Sequence, residues 1–265
     1  MGLRFEVTRP VLPNIMVAPN GARRGYKDHP ALPVTDDDIV ANAKACFAAG
    51  ADGIHLHIRD ADGLHLLDAG RYQTLLDRLR DAVPDLYLQV TSEAAGRYDT
   101  ATQQQIIRDL QPDHVSVAMR EMVREPTDWP AATAFYEWAK QADVHVQHIV
   151  YSQEELGQFI AACNAGQIPG KHHLMQLVLG TYDGTQISEP SALTGFVDQM
   201  AQSDLEFDWM LCAFGKEETE CLVHAARLGG KARVGFENSL WHTDGSVAQD
   251  NAARVRTVSD LIQAL

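Results

Sequence analysis

Little in this sequence points toward nucleic acid, lipid or an oxidising compartment. Its 265 residues hold 22 lysines and arginines against 36 aspartates and glutamates, a formal net charge of −14 at pH 7. Such a chain lacks the basic surface needed to neutralise phosphates or anionic headgroups, so no nucleic-acid partner is expected. No stretch approaches the roughly 20 apolar residues that cross a bilayer, and Met1 to Pro10 has no continuous apolar core of the signal-peptide kind. A cytoplasmic protein without a membrane partner is the expectation. Only four cysteines occur, Cys46, Cys163, Cys212 and Cys221, none at CxxC spacing. That excludes a disulfide framework and leaves reduced thiols packed as small hydrophobes. No GxGxxG follows the first strand-like run, and no linker or low-complexity tract interrupts the chain.

What is present is a regular alternation. With 45% hydrophobic residues and this length, the chain suits one domain, residues 1–265, of the size at which a single α/β barrel closes. Eight β-branched runs read as strands: Asn14 to Ala18, Gly53 to Ile58, Leu86 to Thr91, His114 to Ala118, Val144 to Val150, Leu174 to Leu179, Phe207 to Ala213 and Ala232 to Phe236. Each precedes a helical pattern. Thr35 and Asp38 stand at capping-box spacing before an Ala-rich stripe that stops at Gly50, Ser152 precedes Gln153-Glu154-Glu155, Glu189-Pro190 opens a segment to Met200, and Lys216-Glu217-Glu218 leads to a stop at Gly229-Gly230. A (β/α)8 TIM barrel is the expected fold; a doubly wound open sheet is the alternative, since alternation by itself does not specify closure.

In a closed barrel the catalytic groups collect at the C-terminal ends of the strands. His55 and His57 lie two apart on the second run, so both imidazoles project from one face, just before the polar loop Asp60-Ala61-Asp62-Gly63. The spacing leaves two readings open: two ligands for one divalent cation such as zinc, or two polar residues hydrogen-bonded at the barrel mouth. A third ligand is available in Glu237, where the eighth run leaves the barrel, because closure sets that run beside the first and the first beside the second. The alternative for Glu237 is an ordinary surface carboxylate. His145 and His148, three apart, point to opposite faces. His172, His173 and His242 read as loop residues and His224 as helical, with solvated rings, while His29 and His65 flank loops at the mouth.

These residues carry a family likeness. Ala18-Pro19-Asn20-Gly21-Ala22, Ala49-Gly50-Ala51, His55-Leu56-His57-Ile58-Arg59, Leu88-Gln89-Val90-Thr91, Gln176-Leu177-Val178-Leu179-Gly180 and Gly229 through Glu237 together resemble the β-keto acid cleavage enzymes, the group that includes 3-keto-5-aminohexanoate cleavage enzyme. The resemblance implies a zinc-dependent barrel, a homo-oligomer (dimer or tetramer), that converts a β-keto acid and acetyl-CoA into acetoacetate and a new CoA thioester. It implies His55, His57 and Glu237 as ligands of one zinc, with other divalent metals able to fill the same set. It also implies Arg233 as the catalytic arginine, with Asn20, Arg23, Thr91, Met119 and Asn238 around the substrate.

Several positions depart from the family pattern. Asn238 replaces an aspartate that partners the arginine in proton transfer, and an amide cannot accept that proton. Met119 and Arg120 stand where small or polar residues are usual. Ser92-Glu93-Ala94 replaces a Thr-Gly-Gly-like turn, which makes Glu93 a candidate displaced base, or simply a loop acid. Arg23 replaces an acid, so with Arg24 it favours an anionic substrate tail or is a solvated loop residue. The chain ends at Leu265, where many members continue. Two alternatives to acetyl-CoA-dependent cleavage follow from these departures: a metal-dependent carbonyl lyase, aldolase or hydrolase without acetyl-CoA, and a metal-bound keto-acid-binding protein without turnover.

Overall fold

Five helices begin where a short polar side chain accepts a hydrogen bond from an otherwise unpaired backbone N–H: Thr35, Asp68, Asp99, Ser152 and Asp250. Thr35 and Asp38 form the full reciprocal capping box. The computed structural model describes residues 11–265; the reading of Met1 to Pro10 lies outside the described residues. In chain order the strands are β1 (Ile15–Val17), β2 (Gly53–Leu56), β3 (Ile58–Arg59), β4 (His65–Leu66), β5 (Tyr87–Thr91), β6 (His114–Ala118), β7 (His145–Val150), β8 (His172–Leu179), β9 (Glu206–Ala213) and β10 (Lys231–Val234). The helices are α1 (Asp36–Ala48), α2 (Ala69–Ala82), α3 (Thr100–Leu110), α4 (Met119–Met122), α5 (Trp129–Gln141), α6 (Gln153–Asn164), α7 (Leu193–Ala201), α8 (Glu218–Arg227) and α9 (Asn251–Gln263).

Eight strands close into one parallel barrel in the order β1-β10-β9-β8-β7-β6-β5-β2, with β1 pairing back to β2. Closure removes the open-sheet alternative. β3 and β4 form a separate antiparallel hairpin after β2. The second and eighth strands are shorter than the sequence suggests, because β2 ends at Leu56 and β10 at Val234. His57 therefore lies just past its strand, and Glu237 lies in a turn rather than at a strand end.

The period of two sorts each strand's side chains. Outward-facing Ile54, Leu56, Val90, Val115, Leu177, Leu211 and Val234 are buried in the main apolar core beneath the helices. Inside the barrel a small plug of Leu12, Met16, Leu174 and Met210 closes the N-terminal end. Above it the interior turns polar, with Gln89, Gln147, Gln176 and Arg233 all buried. His172 and His173, expected in a loop, belong to β8; His173 is 4% exposed and packs with His148 among Phe159 and Phe207. It is a core residue rather than a solvated loop imidazole, because β8 begins two residues earlier than its β-branched run.

Candidate metal centre and active site

At the C-terminal mouth, one potential ligand atom each from His55, His57 and Glu237 lies within 4.8 Å of the others. His55 Nε2 and His57 Nε2 are 3.1 Å apart, and Glu237 Oε2 is 3.9 and 3.7 Å from them. All three residues are buried. Burial is the main cause that lowers the His55 pKa to about 4 and takes His57 well below its usual value, so both rings are neutral at physiological pH, the form that ligates a metal. The remaining nitrogens are held: His55 Nδ1 by Gln89 Oε1 at 2.8 Å, and His57 Nδ1 by His65 Nδ1 at 3.4 Å. Glu237 Oε2 has no hydrogen-bond partner although it is buried. A carboxylate oxygen left unpaired inside a protein is costly, and a divalent cation shared with the two Nε2 atoms is the kind of group that would satisfy it. The donor set, two imidazoles and one carboxylate with their outer atoms anchored, fits zinc or a related ion.

The turn that carries Glu237 is fixed from several sides. Gly235 has φ 144°, and a Cβ there would come within 2.4 Å of the Ala18 carbonyl oxygen. Its N–H donates to Glu218 Oε1 at 3.3 Å, Phe236 N donates to Asn251 Oδ1 at 2.8 Å, and Glu237 N donates to Ala18 O at 3.1 Å. Glu218 in turn pairs with Arg254, both wholly buried. Gly21, at φ 60°, leaves the space that the Glu237 side chain fills. Arg233 Nη2 donates to Glu237 Oε1 at 3.2 Å and contacts Cys212 Sγ at 3.4 Å. Arg59 knits the adjoining loop by donating to Ala22 O, Gly21 O and Arg24 O.

A cavity of about 330 Å³ opens above these groups and is lined by His55, Glu237, Arg233, Thr91, Glu93 and Arg23, among others. Glu93 Oε2 is 3.9 Å from His57 Nε2, and Glu93 Oε1 is 3.8 Å from Arg23 Nη2. Although 31% of its side chain still reaches solvent, desolvation pushes its carboxyl up to about 7, with Glu237 and Glu121 adding to the effect. Thr91 Oγ1 accepts from Glu93 N at 3.0 Å and so shapes that loop.

The other expected substrate contacts are placed elsewhere. Met119 begins α4, is buried against the helix layer and lines a separate depression with Val123 and Trp129. It points away from the mouth; its neighbour Arg120 lines the cavity instead, 3.3 Å above the Tyr151 ring. Asn20 donates to His57 O at 3.0 Å from behind the histidine. Asn238 is wholly buried, and neither side-chain atom has a hydrogen-bond partner among the described residues. His29 bonds Ala248 O and is not among the cavity's lining. Sequence reasoning missed Gln147, Glu218, Asn251 and Arg254. An isolated glutamine within an apolar strand was a usable signal for Gln147, whereas nothing local marked the helical Glu218 and Arg254 as buried.

A family model for the beta-keto acid cleavage enzymes matches residues 14–265. The chain belongs to that family. Among curated relatives, it is 26% identical to a 3-oxoadipate:acetyl-CoA acetyltransferase of Cupriavidus necator, over 97% of this chain and 90% of that protein. It is 25% identical to a 3-keto-5-aminohexanoate cleavage enzyme of Acetoanaerobium sticklandii, over 90% and 87% of the two chains. A solved ternary complex of ObcA with a C4-CoA adduct and oxalate superposes with a TM-score of 0.67 at 16% identity; the match covers 89% of this chain and 64% of that one, and shows the shared barrel fold. As a member of that family the chain is an enzyme that acts on β-keto acids.

Proposed function

We propose that this member of the family is a zinc-dependent enzyme that converts a β-keto acid and acetyl-CoA into acetoacetate and a new CoA thioester. The observation that carries the reading is the convergence of His55, His57 and the unpartnered Glu237 oxygen at the floor of the cavity. A cation held there would polarise the keto group of a chelating β-keto acid and stabilise the negative charge that develops on its oxygen. Arg233, fixed beside Glu237, places a permanent positive charge where the substrate carboxylate would sit. With an amide at 238, Glu93, which lines the cavity 3.9 Å from His57 Nε2, is the carboxylate assigned to accept a proton from the carbon between the two carbonyls. Arg23, at the rim over the Tyr182 ring, suits a substrate whose tail carries a second carboxylate, and a 3-oxoadipate enzyme stands among the relatives.

The test is acetoacetate release from a panel of β-keto acids, with and without acetyl-CoA, alongside metal analysis of the purified protein. Release is expected to need both substrates and to be lost in His55→Ala and Glu237→Gln. The buried, unpartnered Asn238 amide favours one second reading, carbonyl cleavage without acetyl-CoA. Turnover that ignores acetyl-CoA selects it; tight keto-acid binding with no turnover selects a non-catalytic binder.

A further inference from the structure

Two backbone carbonyls act on the imidazole pair, one on β8 and one in the loop after β5. On one side Gln147 Nε2 donates to Met175 O at 3.4 Å, Gln147 Oε1 accepts from Gln89 Nε2 at 2.8 Å, and Gln89 Oε1 faces His55 Nδ1 at 2.8 Å. A carbonyl oxygen only accepts, so the end of Gln147 nearest Met175 is its NH2. That orients Gln147, Gln147 orients Gln89, and Gln89 presents an oxygen that requires His55 Nδ1 to carry the proton. On the other side His65 Nε2 donates to Glu93 O at 2.9 Å. A neutral imidazole with a proton on Nε2 has a lone pair on Nδ1, so across the 3.4 Å contact the donor is His57 Nδ1. Both chains therefore leave Nε2 unprotonated, and the two lone pairs face each other 3.1 Å apart.

We infer that Gln147, acting through Gln89, and His65 are positioning residues that hold both metal-facing imidazoles in the Nδ1–H tautomer with their Nε2 lone pairs turned to a common point. Moving the His55 proton to Nε2 would set its Nδ1 lone pair against Gln89 Oε1. Flipping Gln89 passes that clash to Gln147, and flipping Gln147 passes it to the Met175 carbonyl, which has no alternative. The interior glutamines thus transmit a backbone constraint across β8, β7 and β5 to a ligand on β2. All four side chains, Gln147, Gln89, His55 and His65, are buried, so water does not compete for these bonds. This rests on the metal centre read above but not on its reaction.

The experiment has two arms. In metal-free wild-type protein, imidazole nitrogen NMR is expected to show His55 and His57 as Nδ1–H tautomers; an Nε2–H tautomer on either ring overturns the inference, whatever the variants do. In the second arm zinc affinity is measured by chelator competition, with the thermal midpoint of each metal-free variant recorded to separate loss of fold. Gln147→Leu, which touches neither ligand, is expected to weaken zinc about tenfold or more. The Gln89→Leu/Gln147→Leu pair is expected to lose no more affinity than Gln89→Leu alone, since one chain is broken only once. Wild-type affinity in Gln147→Leu, or additive losses in the pair, overturns the inference. Protein that binds no zinc removes the metal centre and this inference with it. Bound zinc without acetoacetate release removes only the proposed reaction, and the tautomers are still read.

Discussion

Glu93 replaces a small turn residue of the family pattern with a carboxylate that lines the cavity and lies 3.9 Å from His57 Nε2. If it accepts the substrate proton, Glu93→Gln keeps the shape and loses the base. Steady-state kinetics should then show kcat reduced by about 10²–10⁴-fold with KM little changed, and an unaltered kcat would return the role to another group. Arg23 is the second residue to probe, because its side chain lines the cavity and is 58% exposed, within reach of a substrate tail. Arg23→Glu is expected to lower kcat/KM for a dicarboxylic β-keto acid relative to a cationic or neutral one by about tenfold, ~1.4 kcal/mol. Equal losses on both substrates would mean that Arg23 serves the loop alone. Both side chains line the cavity, and both stand out in the sequence by their departure from the family pattern. Met119, expected beside the substrate, instead lines a separate depression, because a residue that follows a strand can start a helix and turn its side chain outward, as α4 does.

At the scale of elements, β7 and β8 carry a pH-sensitive seam under α5 and α6. His148 and His173 meet edge to face at 5.8 Å among Tyr136, Phe159 and Phe207. Burial lowers the His173 pKa to about 4 and takes His148 well below its usual value; His172 adds to the effect on His173, and His173 to that on His148. An unfolded histidine titrates near 6.5, so between about 6.5 and 4 the unfolded chain binds more protons than the folded one. Stability is therefore full above that window and falls as the pH drops through it, by up to about 1.4 kcal/mol per pH unit for each histidine. Urea unfolding at neutral and mildly acidic pH should show this loss, and His148→Phe/His173→Phe should show less of it; an identical acid limb in the variant would place the effect elsewhere. The strands themselves were readable from β-branched runs, and the helix starts after Thr35 and Ser152 from their caps. Strand ends were less so: β10 stops at Val234 because Gly235 turns the backbone into φ 144°, a conformation that sequence period does not encode.

For the whole molecule, barrel closure matters more than any single loop. β1 lies between β2 and β10, so a cation bound by His55, His57 and Glu237 would tie together the two strands that flank the closing strand. Removing the metal with a chelator is expected to lower the thermal midpoint and adding zinc to restore it. With free metal at about a thousand times Kd, the linkage is worth about 4 kcal/mol. His55→Ala should show no such response; a chelator shift that persists in this variant would locate the metal at another site. None of the helices among the described residues is long and apolar enough to cross a membrane, and the buried apolar surface is spent between barrel and helices.

Composition and periodicity were enough to determine the alternation of strands and helices, and two-residue spacing was enough to put His55 and His57 on one face, because both follow from local backbone geometry. The candidate ligands His57 and Glu237 are separated by 180 residues in the chain, and only closure of β10 onto β1 and β1 onto β2 brings them within 3.7 Å. The polar interior of Gln89 and Gln147, and the Glu218–Arg254 pair behind the Glu237 turn, likewise belong to the tertiary structure. Their partners lie on other strands and helices, and a hydrogen bond between distant segments leaves no periodic trace in the sequence.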